Sequence, residues 1–342
     1  MLKKTLMGIA TAAALAVAAG PAMAGKTMDS VKQKGVLSCG VNAGLGGFGI
    51  ADSAGKWTGF DVDFCRAVAA AALGDANKVR YVPLNAAQRF TALQSGEIDL
   101  LSRNTTWTMS RDTQLGLSFG VTTFYDGQGF LVPTKLKLKS AKQLKGATVC
   151  VQSGTTTEKN LADYFRTQKM AYKPVVYEDL KALIAAYAEG RCQVFTSDAS
   201  QLAAIRANDM KNPADHVILP EIISKEPLGP VVRRGDEDWS TLVSWVHFAM
   251  LEAEELGITS QNVEQKKSDA SPAVQRLLGQ GNNDFGKAMG ADAGWAARVI
   301  QQVGNYGEVF ERNVGKNTPL KLNRGQNALW TEGGLQYAPP IR

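Results

Sequence analysis

Ala147-Thr148-Val149-Cys150-Val151-Gln152-Ser153-Gly154-Thr155-Thr156-Thr157-Glu158 holds a strand, a tight turn and the start of a helix. The first five residues form a short apolar, β-branched run. Gln152 to Thr155 are small or polar, and Thr155-x-x-Glu158 has the spacing of a capping box opening a helix over 156–167. Strand, turn, helix is the repeating unit of a parallel sheet, because parallel neighbours are joined by a crossover that is usually a helix. Downstream the unit continues: a strand at Pro174–Tyr177, a helix at Asp179–Glu189 stopped by Gly190, a strand at Cys192–Phe195 and a helix at Ala199–Ala207. Upstream the same order occurs once before. A strand at Val36–Val41 leads to a helix at Asp61–Leu73 stopped by Gly74, a strand at Val79–Leu84, a helix at Ala86–Gln94 ended by Ser95-Gly96, and a short strand at Ile98–Leu101. The chain is therefore read as an α/β protein with two units, each a mostly parallel sheet flanked by helices.

Two apolar segments bracket the second unit. Gly129–Val132 is closed by Pro133, and Leu228–Val232 also contains a proline. If they run side by side they are a pair of crossings, and the middle of the chain is a lobe inserted into the first. Lys135–Lys145 reads as a basic surface connector. Beyond the second crossing, Trp239–Leu256 carries Leu242, Trp245, Val246, Ala249 and Met250 at helical spacing. Ser260–Asn283 reads as a polar excursion, Gly294–Val309 contains a further helix, and the tail from Lys316 is loop-like.

The chain has 342 residues, 44% hydrophobic and 20% charged. That is room for one large or two medium domains and too much core-forming residue for disorder. The formal charge of +6 is spread out, with no run of five lysines or arginines. Nucleic-acid binders concentrate their charge on one face, so that class of partner is not expected. Two histidines, His216 and His247, exclude a His-rich metal site, and no metal or cofactor is expected.

Residues 1–24 read as a secretory leader: Lys3 and Lys4, an apolar stretch from Leu6 to Ala19, and Ala22-Met23-Ala24 before Gly25. Cleavage there would leave 318 residues and lower the charge to +4, since the leader holds two lysines and no acidic residue. No lipobox cysteine follows it. Export places Cys39, Cys65, Cys150 and Cys192 in an oxidising space. They permit three pairings. The reading favours Cys39–Cys65 and Cys150–Cys192, each within one half of the chain, with free buried thiols as the alternative.

Four motifs bear on function. Gly44-Leu45-Gly46-Gly47-Phe48-Gly49 spells G-x-G-x-x-G after a strand. A pyrophosphate site needs a helix to open at once. Here residues 52–59 intervene and look like a turn, so the stretch reads as a flexible close-approach loop at a cleft. Asn104-Thr105-Thr106-Trp107-Thr108-Met109-Ser110-Arg111 follows the end of a parallel strand, where open α/β sheets bind ligands. Arg111 suits a carboxylate because its fork donates two parallel hydrogen bonds; a capping run with a surface arginine is the structural alternative. Gln152–Glu158 holds the same position in the second unit and could offer backbone N–H groups to an anion. Thr196-Ser197-Asp198 ends a strand, and Asp198 could accept from an ammonium or cap the next helix. Neither histidine lies beside a credible nucleophile, and no S-x-x-K, G-x-S-x-G or H-E-x-x-H occurs. A carboxylate acid/base pair stays open.

Taken in order, several stretches resemble the family 3 solute-binding proteins of ABC importers. They are Gly59-Phe60-Asp61-Val62-Asp63, Arg89-Phe90-x-x-Leu93-x-Ser95-Gly96-Glu97-Ile98-Asp99, Thr106-x-x-x-x-Arg111, Val149-x-x-Gln152-Ser153-Gly154-Thr155-Thr156 and the segment at Asp198. The resemblance covers about residues 30–255. The long C-terminal part is similar to the subfamily that binds general L-amino acids.

The resemblance implies a two-lobed periplasmic-binding-protein fold of type II, with lobe 1 from residues 25–132 and 232–342, lobe 2 from 133–231, and two hinge crossings. It implies that Arg111 clamps an α-carboxylate, helped by backbone N–H groups at Thr106 and Thr156, with Gly154 and Thr155 of the same turn as further ligand-binding candidates. Asp198 would accept from the α-ammonium, with Asn104 and the Thr106 hydroxyl as further acceptors, and Asn42 would supply a polar contact after the first strand. Relatives often sandwich the ligand side chain between aromatics. Those places fall near Leu45 and Ala86 here, or at Phe48, and smaller walls imply broad specificity. The implied partners are an L-amino acid and a membrane permease, the compartment is the periplasm, and a monomer is expected. The rival is an enzyme on the same fold, a periplasmic dehydratase or lytic transglycosylase, with Glu158, Glu178 or Asp198 as acid/base.

Overall fold

The computed structural model describes residues 27–281 and 283–342; the leader read at residues 1–24 lies outside them. Two five-stranded sheets organise the chain. The first runs, edge to edge, Val79–Leu84, Leu37–Asn42, Leu100–Leu101, Val231–Arg233, Leu117–Phe119. The second runs Lys173–Tyr177, Thr148–Gln152, Val194–Asp198, Gln128–Pro133, His216–Ile218. In each, three neighbouring strands are parallel and one strand, next to the edge, is reversed. The reversed strands are Val231–Arg233 and Gln128–Pro133, which are those the chain makes just after passing from one lobe to the other.

The expected crossings need a correction. Gly129–Val132 does not run beside Leu228–Val232. It lies wholly in the second sheet, paired with Val194–Asp198 and His216–Ile218. The crossing is made by Phe124–Asp126 and Glu226–Leu228, which pair antiparallel with Glu226 opposite Asp126. The passage out of lobe 1 therefore falls before residue 128, and the return is complete by Val231. Gly129–Val132 is continuously apolar because it is buried on both faces of a sheet.

Lobe 1 is built round the helix Phe60–Leu73, buried over nearly its whole length. Its start explains Gly59: at φ +134° a Cβ there would sit 2.1 Å from the Phe48 carbonyl oxygen. Gly74 ends it in the left-handed conformation, its N–H donating to Ala70. Helices Glu237–Glu255 and Trp295–Val303 pack on it. The helix expected within Gly294–Val309 is two helices, since Gly304 breaks the chain and Asn305 begins Tyr306–Asn313 with a complete capping box. The polar excursion also holds short helices, Val263–Lys266 and Pro272–Leu277.

The C-terminal segment returns to the crossing. Asn327 accepts from the Tyr125 N–H at 2.7 Å and donates to its carbonyl at 3.0 Å, as a neighbouring strand would. Tyr306 donates its hydroxyl to the Thr123 carbonyl, and the Gln336 amide reaches the same oxygen. Lobe 2 has its own core of Phe130, Val149, Val151, Phe165 and Val194. Cys39 bonds Cys65 and Cys150 bonds Cys192, one bridge per lobe as read from sequence.

Candidate ligand-binding cleft

On lobe 1 the cleft wall is laid down where the chain leaves the strand Leu100–Leu101. Asp61, in the first turn of the long helix, accepts from the Asn104 backbone N–H at 2.9 Å and from Ser102 Oγ. This holds Asn104 at φ +28°, a left-handed conformation that asparagine tolerates. Asn104 Oδ1 then accepts from Asn42 Nδ2 at 3.1 Å, while its Nδ2 donates to Gln201 of lobe 2 at 3.1 Å. Burial pushes Asp61 up to about 6, against the lowering by the Asn104 N–H, the nearby Arg103 and Ser102. Thr108 caps the short helix Met109–Gln114 by accepting from the Arg111 N–H. The capping reading of this stretch is thus correct for Thr108, and Arg111 is no surface arginine. It is buried, donates from Nη1 to the Thr106 carbonyl at 2.9 Å and lies 5.1 Å over the Phe90 ring. Burial lowers its pKa, and Glu226 and Asp198 oppose that.

On lobe 2 two strand-to-helix turns face it. Thr155 caps Thr156–Thr167, accepting from the Glu158 N–H at 3.1 Å. Glu158 reaches back to the Gly154 N–H, one residue before the cap, at 3.1 Å. Gly154 sits at φ +73°, and a Cβ there would come within 3.3 Å of Ala87 of lobe 1. Asp198 occupies the cap position of Ala199–Asn208 but makes no cap bond. Asp126, on the crossing strand, takes that role by accepting from the N–H and Oγ of Ser200. Asp198 is left buried with Oδ1 unpartnered. Burial first, then Asp126 and Glu226, hold its pKa well above the carboxylate range, while Arg89 and Arg111 pull the other way.

The lobes touch across this line. Thr106 Oγ1 and Thr156 Oγ1 are 3.3 Å apart, and Asn85 donates to Glu178 at 3.0 Å on the rim. Between the two walls lies a narrow cavity of about 20 Å³ bounded by Arg89, Asn104, Thr106, Thr156 and Asp198. A chamber of about 470 Å³ opens outward past Arg111, Phe90 and the Gly154-Thr155-Thr156 turn. At the other end Asn42, Asn85, Gln152 and Lys181 enclose about 30 Å³. All eight candidate residues, Asn42, Asn104, Thr106, Arg111, Gly154, Thr155, Thr156 and Asp198, thus line one cleft or its ends.

The expected side-chain walls need a correction, while the glycine-rich loop does approach lobe 2, with Gly44 at the cleft end. Phe48 and Leu45 are 1% exposed and belong to the core; Phe48 packs its ring against Phe60 and Phe124. The glycine-rich loop is closed by a Leu45–Gly49 bridge, though Gly46 does meet the Asn208 amide of lobe 2 closely. Sequence reading also missed Arg89, Arg103, Gln201 and Glu226, all buried and polar. Burial lowers the pKa of Arg89, whose Nε has no partner. The Arg89-Phe90 motif marked the first of these; nothing marked Glu226.

Residues 37–275 match the family described as bacterial extracellular solute-binding proteins, family 3. The chain belongs to that family. As a family 3 solute-binding protein it is 57% identical, over the full length of both chains, to the general L-amino acid-binding periplasmic protein AapJ of Rhizobium johnstonii. It is 53% identical, again over both full lengths, to the glutamate/glutamine/aspartate/asparagine-binding protein BztA of Rhodobacter capsulatus. A solved ABC transporter periplasmic binding protein from Brucella ovis with glutathione bound superposes with a TM-score of 0.91 at 55% identity, covering 93% of this chain and 99% of that one. The two-lobed periplasmic-binding-protein fold is thereby established. Among the described residues no helix is long and apolar enough to cross a membrane.

Proposed function

We propose that this periplasmic protein is the receptor of an ABC importer, capturing L-amino acids by their shared α-carboxylate and α-ammonium groups and delivering them to a membrane permease. The supporting observation is that Arg111 on lobe 1 and Asp198 on lobe 2, buried with its Oδ1 unpartnered, lie near enough for each charge to act on the other without forming an ion pair. A zwitterion engages both only when the lobes are together, so its binding energy favours the closed arrangement, and the permease reads that state. The side-chain end of the cleft has polar Asn42, Asn85 and Lys181 and no aromatic wall, which suits varied side chains. The γ-glutamyl end of glutathione carries the same two α-groups, so that peptide is a candidate ligand too. The protein works as a monomer and turns nothing over.

A thermal-shift series with the twenty L-amino acids, several D-isomers, glutathione and common sugars tests this. Several L-amino acids should raise the midpoint by mass action, and D-isomers and sugars should not. A response to one amino acid alone would remove the broad specificity, and no response would overturn the reading. The enzyme reading draws on one observation: a buried cleft carboxyl with a raised pKa is also what an acid catalyst needs. Incubation with arogenate or peptidoglycan should leave both unchanged.

A further inference from the structure

Glu226 stands on the crossing strand Glu226–Leu228, 1% exposed, behind the cleft wall. Four donors converge on it. Thr106 Oγ1 of lobe 1 donates to Oε2 at 2.6 Å, and Thr156 Oγ1 of lobe 2 donates to the same oxygen at 2.8 Å. Asn160 Nδ2 and Ser224 Oγ donate to Oε1 at 2.7 and 2.6 Å. A hydroxyl has one proton to give and two lone pairs to receive with. Both threonine protons are directed at Glu226, so the 3.3 Å contact between the hydroxyls is left without a shared proton, and each oxygen faces the cleft as an acceptor only.

We propose that Glu226 is a positioning residue that sets the polarity of the ligand site. By drawing both threonine protons backward it makes Thr106 and Thr156, beside Asp198, a set of acceptors that receives an ammonium and rejects a group that must itself accept. The two oxygens come from different lobes and both donate to one carboxylate oxygen of the crossing strand. The acceptor pair is therefore assembled by closure. This rests on the reading of the cleft as an amino-acid site.

The test compares L-glutamate with 2-oxoglutarate, which keeps both carboxylates and replaces the ammonium with a carbonyl oxygen. Each is titrated by calorimetry into the full mature chain and into Glu226→Met, which removes every acceptor and frees the threonine protons. The wild-type chain should bind L-glutamate and discriminate strongly against 2-oxoglutarate. In the variant, L-glutamate affinity should fall by about tenfold or more, and the preference over 2-oxoglutarate should narrow by a similar factor, since a released hydroxyl can donate to the keto oxygen. Equal weakening of both ligands would mean a purely structural role and overturn the proposal, as would unchanged L-glutamate affinity. Thr156→Val, which deletes one acceptor from a less buried site, should lower L-glutamate affinity and spare 2-oxoglutarate; it decides the matter should Glu226→Met not fold, and a uniform loss there also overturns it. A wild-type chain that binds no L-amino acid in the thermal-shift series would instead remove the function proposed above.

Discussion

Lobe 1 and lobe 2 share a sheet pattern of three parallel strands, a reversed strand and an edge strand, and each carries one disulfide. They meet the cleft in different ways. Lobe 1 presents side chains braced from behind by other groups: Asn104 by Asp61, Arg111 by the Thr106 carbonyl. It also carries the long helices and the C-terminal segment, and all six tryptophans of the chain. Lobe 2 presents two strand-to-helix turns on a smaller core, with one carboxylate kept out of its usual capping role. The difference reads as a frame and a cap, with charge recognition prepared on the frame and completed by the cap.

That contrast can be broken most directly at Arg111. Arg111→Ala should cost about 2–5 kcal/mol of amino-acid binding, because the ligand carboxylate would be buried unpaired. Gln201→Ala, on lobe 2, removes one neutral hydrogen bond to Asn104 and should cost only about 0.5–1.5 kcal/mol. Calorimetry that found the two equal would end the distinction. A second asymmetry lies in acid stability. His247 is buried in lobe 1 against Gln336 and pushed down to about 4 by burial. The unfolded chain takes up a proton near 6.5 and the folded one does not, so this histidine's contribution is present at neutral pH and lost as pH falls. By pH 5 the loss should reach about 2 kcal/mol. Asp61, pushed up to about 6 by burial in the same lobe, gains stability over the same range and offsets much of that loss. The test is therefore the difference between wild type and His247→Gln in urea unfolding followed by tryptophan fluorescence, which reports lobe 1 alone: wild type should lose about 2 kcal/mol relative to the variant between about pH 7 and pH 5. The smallest effect concerns the brace itself. Asn327→Ala should lower stability by about 1 kcal/mol through its two bonds to Tyr125, measured by the same unfolding; no change would mean the C-terminal segment rests on the crossing without supporting it.

The strand and helix pattern was legible because stops and caps are local. Thr155, Asp179 and Gly74 act within a few residues of their helices, and the helix Thr156–Thr167 has the expected ends. The crossing was misread because apolar Gly129–Val132 looked like a special segment, whereas the real one, Phe124–Asp126, is short and partly polar. Arg111, Thr106, Thr156 and Asp198 were legible by their place after strand ends and through family motifs. Glu226 was not, since Lys225-Glu226-Pro227 looks like surface; its meaning comes from hydroxyls 120 and 70 residues away. The same holds for Asp126, whose capping of a distant helix is what frees Asp198.

The reversed strand in each sheet also sets a timetable. Every strand of the second sheet lies between Gln128 and Ile218, so a chain emerging N-terminus first has that sheet in hand early. The first sheet waits for Val231–Arg233 to join Leu100–Leu101 to Leu117–Phe119, and its core waits longer, for helices beyond Glu237 and for Gln336. Contacts of such long sequence separation are slow to form. The inserted lobe should therefore mature while the surrounding one still exposes its apolar helix Phe60–Leu73, which makes that helix the stretch most in need of protection before folding is complete.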